Sequence, residues 1–175
     1  MILGIISDTH DRLPAIDIAL AFFKKQKVEM VLHCGDWKSL QTVRYFAEQA
    51  NILSLPVRGV LGNNDLDVAD FIEYALKAPG HFMLQENALE FEAGNVTGVI
   101  YHGHHKPTLR KIINEAVYSI ILLGHTHKPL IEKTEQTLIV NPGSTAFSIP
   151  RSKQWVPTVA IINTDTLDAK IHYLK

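Results

Sequence analysis

The sequence has a single cysteine, Cys34, so no intrachain disulfide can form and the fold must hold without covalent staples. A lone thiol suits a reducing compartment, and a small side chain at the end of an apolar run is expected to be buried. No apolar stretch approaches the ~20 residues that a membrane helix needs. The apolar start, Met1 to Ile6, is too short for a signal-peptide core, lacks a basic flank and runs straight into Asp8. An excess of one charge is missing too. Seventeen basic against 18 acidic residues leave a net charge of −1, far from the basic surplus of a protein that wraps duplex nucleic acid. There is no internal repeat, low-complexity tract or linker. These absences predict a cytoplasmic protein with no membrane partner and no stable duplex binding.

What is present is a globular composition, 46% hydrophobic and 20% charged over 175 residues, enough for one ordinary domain, 1–175, with a substantial core. Met1 to Ile6 reads as a buried strand. Leu13, Ile16, Leu20 and Phe23 then recur at helical spacing, with Pro14 suited to a helix start. Met30 to His33 is a second strand, and Leu40 to Ala50 a second amphipathic helix with Ser39 as its N-cap. Ile52 to Leu61 reads as a third strand interrupted by Pro56 and Gly59. This βαβαβ series predicts parallel pairing. Val68 to Leu76 is a helix ended by Pro79-Gly80. His81 to Leu84, Ala88 to Glu92 and Val96 to Tyr101 read as antiparallel neighbours. A helix from Thr108 to Glu115 and a strand from Ser119 to Leu123 come next. Two hairpins close the chain: Leu130–Lys133 with Leu138–Val140, and Val159–Asn163 with Ala169–Tyr173. The pattern is mixed α/β, parallel first and antiparallel later, most simply two packed sheets with helices outside.

Five apolar runs end in metal-ligand residue types. They lead into Asp8-Thr9-His10, into His33-Cys34-Gly35-Asp36, into Gly62-Asn63-Asn64-Asp65, into His102-Gly103-His104 and into Gly124-His125-Thr126-His127. In α/β sheets the C-terminal tips of strands are where ligands are held. Alternate residues of an extended chain share a face, so Asp8 with His10, and His125 with His127, are expected to aim at one place. Gly35, Gly62, Gly103 and Gly124 stand beside these residues, where a tight turn or close backbone approach is useful. Six of the nine histidines (His10, His102, His104, His105, His125, His127) fall in three tight groups. His33, His81 and His172 read as structural.

Asp8, His10, Asp36, Asn63, His102, His125 and His127 supply two carboxylates, one amide oxygen and four imidazoles. That is too many for one open tetrahedral zinc site. It suits two divalent cations sharing a carboxylate, with nitrogen and oxygen donors and no thiolate. The expected cofactor is therefore two divalent metal ions per chain, Mn2+ first, with Ni2+, Fe2+, Zn2+ or Co2+ as alternatives. Such a pair holds phosphate oxygens, generates hydroxide near neutral pH and stabilises the leaving oxygen, so phosphoester hydrolysis is the expected reaction.

The ordered set D-x-H, G-D, G-N-x-D, H-G-H and G-H-T-H resembles the calcineurin-like metallophosphoesterases. Within them it resembles the small single-domain bacterial and archaeal phosphodiesterases of the YfcE type. The resemblance runs from Asp8 to Asn141-Pro142-Gly143-Ser144. It implies a four-layer α/β/β/α sandwich of two mixed sheets. It also implies one metal on Asp8, His10, Asp36 and His127 and a second on Asp36, Asn63, His102 and His125, with Asp36 as the bridge. Asn141 and Ser144 then stand behind the ligands or face substrate, unless they simply form a turn. Many relatives carry His where this chain has Asn64, and Asn cannot protonate a leaving alkoxide, a transfer commonly worth ~10²–10⁴-fold. Activated phosphodiesters are therefore the expected substrates, small and nucleotide-like. His104 is a catalytic candidate as a phosphate donor, beside Asp36 and Asn63. His105 reads more readily as a loop residue, Asp11 as a helix N-terminal acid and Arg12 as solvated. The family also contains a subunit of the retromer sorting complex, so a non-catalytic scaffold on the same fold is the alternative. Its nucleases carry extra segments for which this chain has no length. A homo-oligomer stays open.

Overall fold

The computed structural model describes residues 1–78, 80–146 and 156–174. The chain opens with β1 (Ile2–Ile6), α1 (Leu13–Lys25), β2 (Met30–His33), α2 (Leu40–Ile52), β3 (Val57–Val60), α3 (Val68–Lys77) and β4 (Phe82–Gln85). It continues through β5 (Ala88–Ala93), β6 (Val96–Tyr101), α4 (Lys106–Glu115), β7 (Ile120–Leu122), β8 (Leu130–Lys133), β9 (Leu138–Asn141), β10 (Thr158–Asn163) and β11 (Asp168–Tyr173). Six strands form one sheet in the order β11-β10-β1-β2-β3-β4, and five form a second in the order β5-β6-β7-β9-β8.

The layers arise from side-chain alternation along the strands. In β1, Ile2 and Ile6 face α1–α3, whereas Leu3 and Ile5 face the second sheet. The helix-side core packs Ile6, Val31 and Val57 against Ile16, Phe23, Phe46 and Phe71. The inter-sheet core packs Leu3, Ile5 and Leu32 against Leu89, Ile100, Leu122 and Val140. A third core sets Ile112 of α4 on Val99, Ile121 and Ile139, the far face of the second sheet. Three cores thus separate four layers, as the expected α/β/β/α sandwich requires.

The helices start where local chemistry favours it. Ser39 accepts a hydrogen bond from the Thr42 N–H at the head of α2 (3.4 Å). Pro14 and Pro107 occupy the first turns of α1 and α4, where the missing N–H costs nothing. Pro107 explains why α4 begins at Lys106 rather than at Thr108.

The strand expectations need three corrections. Residues 52–56 are not strand: α2 continues through Ile52, and β3 begins only after Pro56. The segment from His81 is not an antiparallel neighbour of β5; β4 pairs parallel with β3, Val57 opposite Phe82, and closes the edge of the first sheet. The later half is not uniformly antiparallel either, because β6–β7 and β7–β9 are parallel. Pro79, expected to end α3 with Gly80, lies outside the described residues; Gly80 itself has φ +70°.

Ile5 is fully buried between the sheets. Ile5→Ala is expected to lower the unfolding free energy by about 2–5 kcal/mol, read from urea denaturation midpoints. A loss below about 1 kcal/mol would mean that the inter-sheet core repacks around the change.

Candidate metal centre

Strands β1, β2 and β3 run parallel in one sheet, and β6 and β7 run parallel in the other. Their C-terminal ends deliver Asp8 and His10, Asp36, Asn63, His102, and His125 with His127, respectively. Asp8, Asp36 and His102 are buried, and His10 and His127 half-buried.

Asp8, His10, Asp36 and His127 form a group that could hold a metal ion, one ligand atom from each lying within 4.8 Å of the others. Asp8 Oδ1 lies 3.0 Å from His127 Nε2, and Asp36 Oδ2 3.4 Å from His10 Nε2. The other Asp36 oxygen faces away from this group, with Oδ1 3.3 Å from His102 Nε2, which in turn lies 3.2 Å from Asn63 Oδ1. The His125 ring stands edge-on to His102, 5.2 Å between centroids, while its backbone N–H donates to Asp8 Oδ2 (3.2 Å). All seven expected ligand residues are thus brought together.

The convergence is not achieved by extended chain. Asp8 and His10 have φ +54° and +39°, Asp36 +60°, and His125 and His127 +66° and +56°. Each turns through the left-handed region, which Asp and His tolerate better than most side chains. Such clustering of strain is typical of functional sites. Gly35 and Gly103 turn at φ +96° and +100°. Gly62 and Gly124 serve close approach: a Cβ on Gly62 would lie 2.1 Å from Asp36 Oδ1, and one on Gly124 2.2 Å from Ser7 Oγ.

The donor set fits a divalent cation. His102 Nδ1 is 2.7 Å from the Cys34 carbonyl, which can only accept, so Nδ1 carries the proton. In the neutral ring Nε2 is then a lone pair, aimed at Asn63 Oδ1 and Asp36 Oδ1. Three acceptors meeting at hydrogen-bond distance call for a cation among them or a proton on Nε2. Burial resists that proton, yet the hydrogen bond and charge of Asp36 outweigh it and raise the His102 pKa. The hydrogen bond to Asp8, with burial opposing, likewise raises His127. Burial lowers His10, His125 and His104. For Asp36, burial opposes ionisation, but the His102 ring and two donors from Asn64 win and hold the carboxyl well below the usual carboxylate range.

Behind the ligands lies a frame of hydrogen bonds. Ser7 Oγ donates to Asp8 Oδ2 (2.6 Å), and Ser144 Oγ donates to the Asp8 carbonyl (2.9 Å). Asn141 donates to the Gly124 carbonyl (2.6 Å). Asn141 and Ser144 are buried at 2% and 1% exposure, so they support the ligand loops rather than face substrate. Asn64 donates from its backbone to Asp36 Oδ1 (3.0 Å) and from Nδ2 to Oδ2 (2.7 Å). His104 is exposed on the rim, its ring 5.6 Å from His102 and 6.4 Å from His125. His105 bonds Thr108 Oγ1 at the head of α4. Asp11 lies outside the first turn of α1 and accepts from the Ser39 and Thr42 hydroxyls at the head of α2. His172 packs on Phe22, and His81 is exposed. Cys34 is buried, and burial pushes its thiol pKa up.

The motifs alone assign no role to Asp65, although the G-N-x-D spacing displays it. Its buried carboxylate accepts from the backbone N–H groups of Asp36 (3.1 Å), Lys38 (2.6 Å) and Gly62 (2.7 Å). It thereby clips the loop of Asp36 to the loop of Asn63.

The family model of the calcineurin-like phosphoesterase superfamily domain matches residues 1–167. The chain belongs to that superfamily. It is 33% identical over 166 residues to phosphodiesterase MJ0936 of Methanocaldococcus jannaschii, covering 94% of each chain. It is 28% identical over 156 residues to phosphodiesterase YfcE of Escherichia coli K12, covering 83% of this chain and 78% of that one. Among solved structures, an archaeal phosphodiesterase superposes with a TM-score of 0.84 at 29% identity, covering 99% of this chain and 100% of that one. A Vps29 from Entamoeba histolytica, solved with zinc, shares the fold with a TM-score of 0.67 at 19% identity, covering 99% and 98%.

Asp65→Ala strands three buried or half-buried N–H donors and is expected to cost at least about 2 kcal/mol in unfolding free energy. Thermal and urea denaturation of the metal-free protein check this. Asp65→Asn, which keeps one acceptor, should lose less.

Proposed function

We propose that the protein is a divalent-metal-dependent phosphodiesterase acting on small phosphodiesters, nucleotide-like ones included, at a dinuclear centre. One ion would be held by Asp8, His10, Asp36 and His127, the other by Asp36, Asn63, His102 and His125. The carrying observation is the split orientation of Asp36, with one oxygen toward His10 and the other toward His102. A carboxylate so placed is suited to bridging. When bound, the ions supply what the side chains lack: hydroxide from water near neutral pH and Lewis-acid neutralisation of the phosphodiester's charge. Nitrogen and oxygen donors without thiolate favour manganese, iron, zinc, cobalt or nickel.

The chain's own groups then orient the reactants. Asn64 is engaged with both Asp36 oxygens and has no acidic proton, so leaving groups depart without protonation from this position. That supports activated diesters over monoesters with poor leaving groups. His104, on the rim beside His102 and His125, is suited to donating to a non-bridging phosphate oxygen. The free, buried Cys34 supports residence in a reducing cytoplasm. Among the described residues no helix is long and apolar enough to cross a membrane. The scaffold reading has the Vps29-like fold in its favour, but every ligand position here is filled.

The test is Mn2+-dependent hydrolysis of bis-p-nitrophenyl phosphate against p-nitrophenyl phosphate. The diester should be preferred, chelation should abolish turnover and Mn2+ restore it. Asp36→Ala and His127→Ala should be inactive, and His104→Ala should lose about 10²-fold in kcat. A wild type inert with every divalent metal would sink the enzyme reading. A monoester preference would overturn the role given to Asn64.

A further inference from the structure

His33 is fully buried three residues before Asp36, and nothing in the proposed chemistry uses it. Its hydrogen bonds are nonetheless specific. The Gly35 N–H donates to Nδ1 (3.1 Å), which makes Nδ1 an acceptor and puts the proton on Nε2. Nε2 lies 3.2 Å from Thr9 Oγ1, so the ring donates there. The Thr9 hydroxyl in turn donates to the Asp36 carbonyl, 3.5 Å away. The imidazole lies flat on Trp37, 3.4 Å between centroids and 13° between planes, with Phe46 edge-on at 5.7 Å. Trp37 Nε1 donates to the Val60 carbonyl (2.9 Å), at the end of the strand that leads to Asn63.

A purely packing residue needs none of this directionality. Thr9 is the residue between Asp8 and His10, and Gly35 immediately precedes Asp36. One neutral ring therefore ties the loop carrying the first two ligands to the loop carrying the shared carboxylate, and stacking fixes the ring's plane. The structure assigns His33, acting through Thr9, the role of a positioning residue that sets the separation of the Asp8–His10 loop from Asp36. This rests on the metal-centre reading above. Hydrogen-bonded supports behind metal ligands commonly govern affinity as strongly as 10–100-fold.

The test is Mn2+ titration of the chelator-stripped protein by calorimetry, paired with the melting temperature of the same metal-free samples. Thr9→Val keeps the side chain's shape and deletes its hydroxyl. It should weaken Mn2+ binding about tenfold, whereas Thr9→Ser should stay within about twofold of wild type. His33→Asn retains an acceptor for Gly35 but cannot reach Thr9, and it should match Thr9→Val. Because both break one link, the double variant should be little worse than either alone. If Thr9→Val and His33→Asn melt lower but bind Mn2+ as wild type does, His33 is a packing residue and the proposal falls. If His33→Asn fails to fold, the Thr9 pair decides alone. A wild type that binds no divalent ion would overturn the metal centre itself, an outcome distinct from unaltered affinity in the variants.

Discussion

Two carboxylates buried within 4.8 Å of each other are the constraint on which the rest of the structure depends. Like charges at that distance, away from water, destabilise the fold unless donors or cations offset them. Asp8 is met by Ser7, by the His125 N–H and by the His127 ring; Asp36 by both Asn64 donors and by the His10 and His102 rings. Those partners come from both sheets. The sandwich is thus not a neutral scaffold with a site added to its surface, because closing its two sheets brings the hydrogen-bonding partners that offset the two buried carboxylates.

Much of the arrangement is legible in the residues. The helical spacing through Phe23 and from Leu40 to Ala50, the Ser39 cap and the last two hairpins are all visible as local pattern. So is the recurrence of Asp, His and Asn after apolar runs, since a strand tip exposes the residues just beyond it. Pairing partners are less legible. The hairpin logic that joins Ala88–Ala93 to Val96–Tyr101 does not extend one strand further back, to Phe82–Gln85, which instead pairs with β3. Nothing local to four residues distinguishes an edge strand of one sheet from the first strand of the next. The boundary at Ile52 is hidden because Ile, Leu and Leu suit strand and helix alike, and only the crossover length decides.

At the site, residue types are readable and backbone geometry is not. Asp-x-His suggests an extended pair with both side chains on one face, yet Asp8, His10, His125 and His127 all turn through positive φ. A dihedral of that kind leaves little mark in composition beyond the preference for Asp and His themselves. Asp65 escapes for a related reason. Its partners are backbone N–H groups, which have no sequence identity, so the motif displays the carboxylate without showing its task.

The first strand has its neighbour on one side only at the far end of the chain: β1 pairs with β10, Ile2 opposite Asn163. Ser144 and Thr145 also reach back to the Asp8 and Ser7 carbonyls. During synthesis, therefore, Asp8 and His10 emerge before β10 and wait with an open strand edge until that strand has followed. Pairings so distant in sequence close slowly and expose apolar edges meanwhile. Asp8 and His10 are thus secured late, and a chain cut short before β10 would carry them on a strand paired with β2 alone.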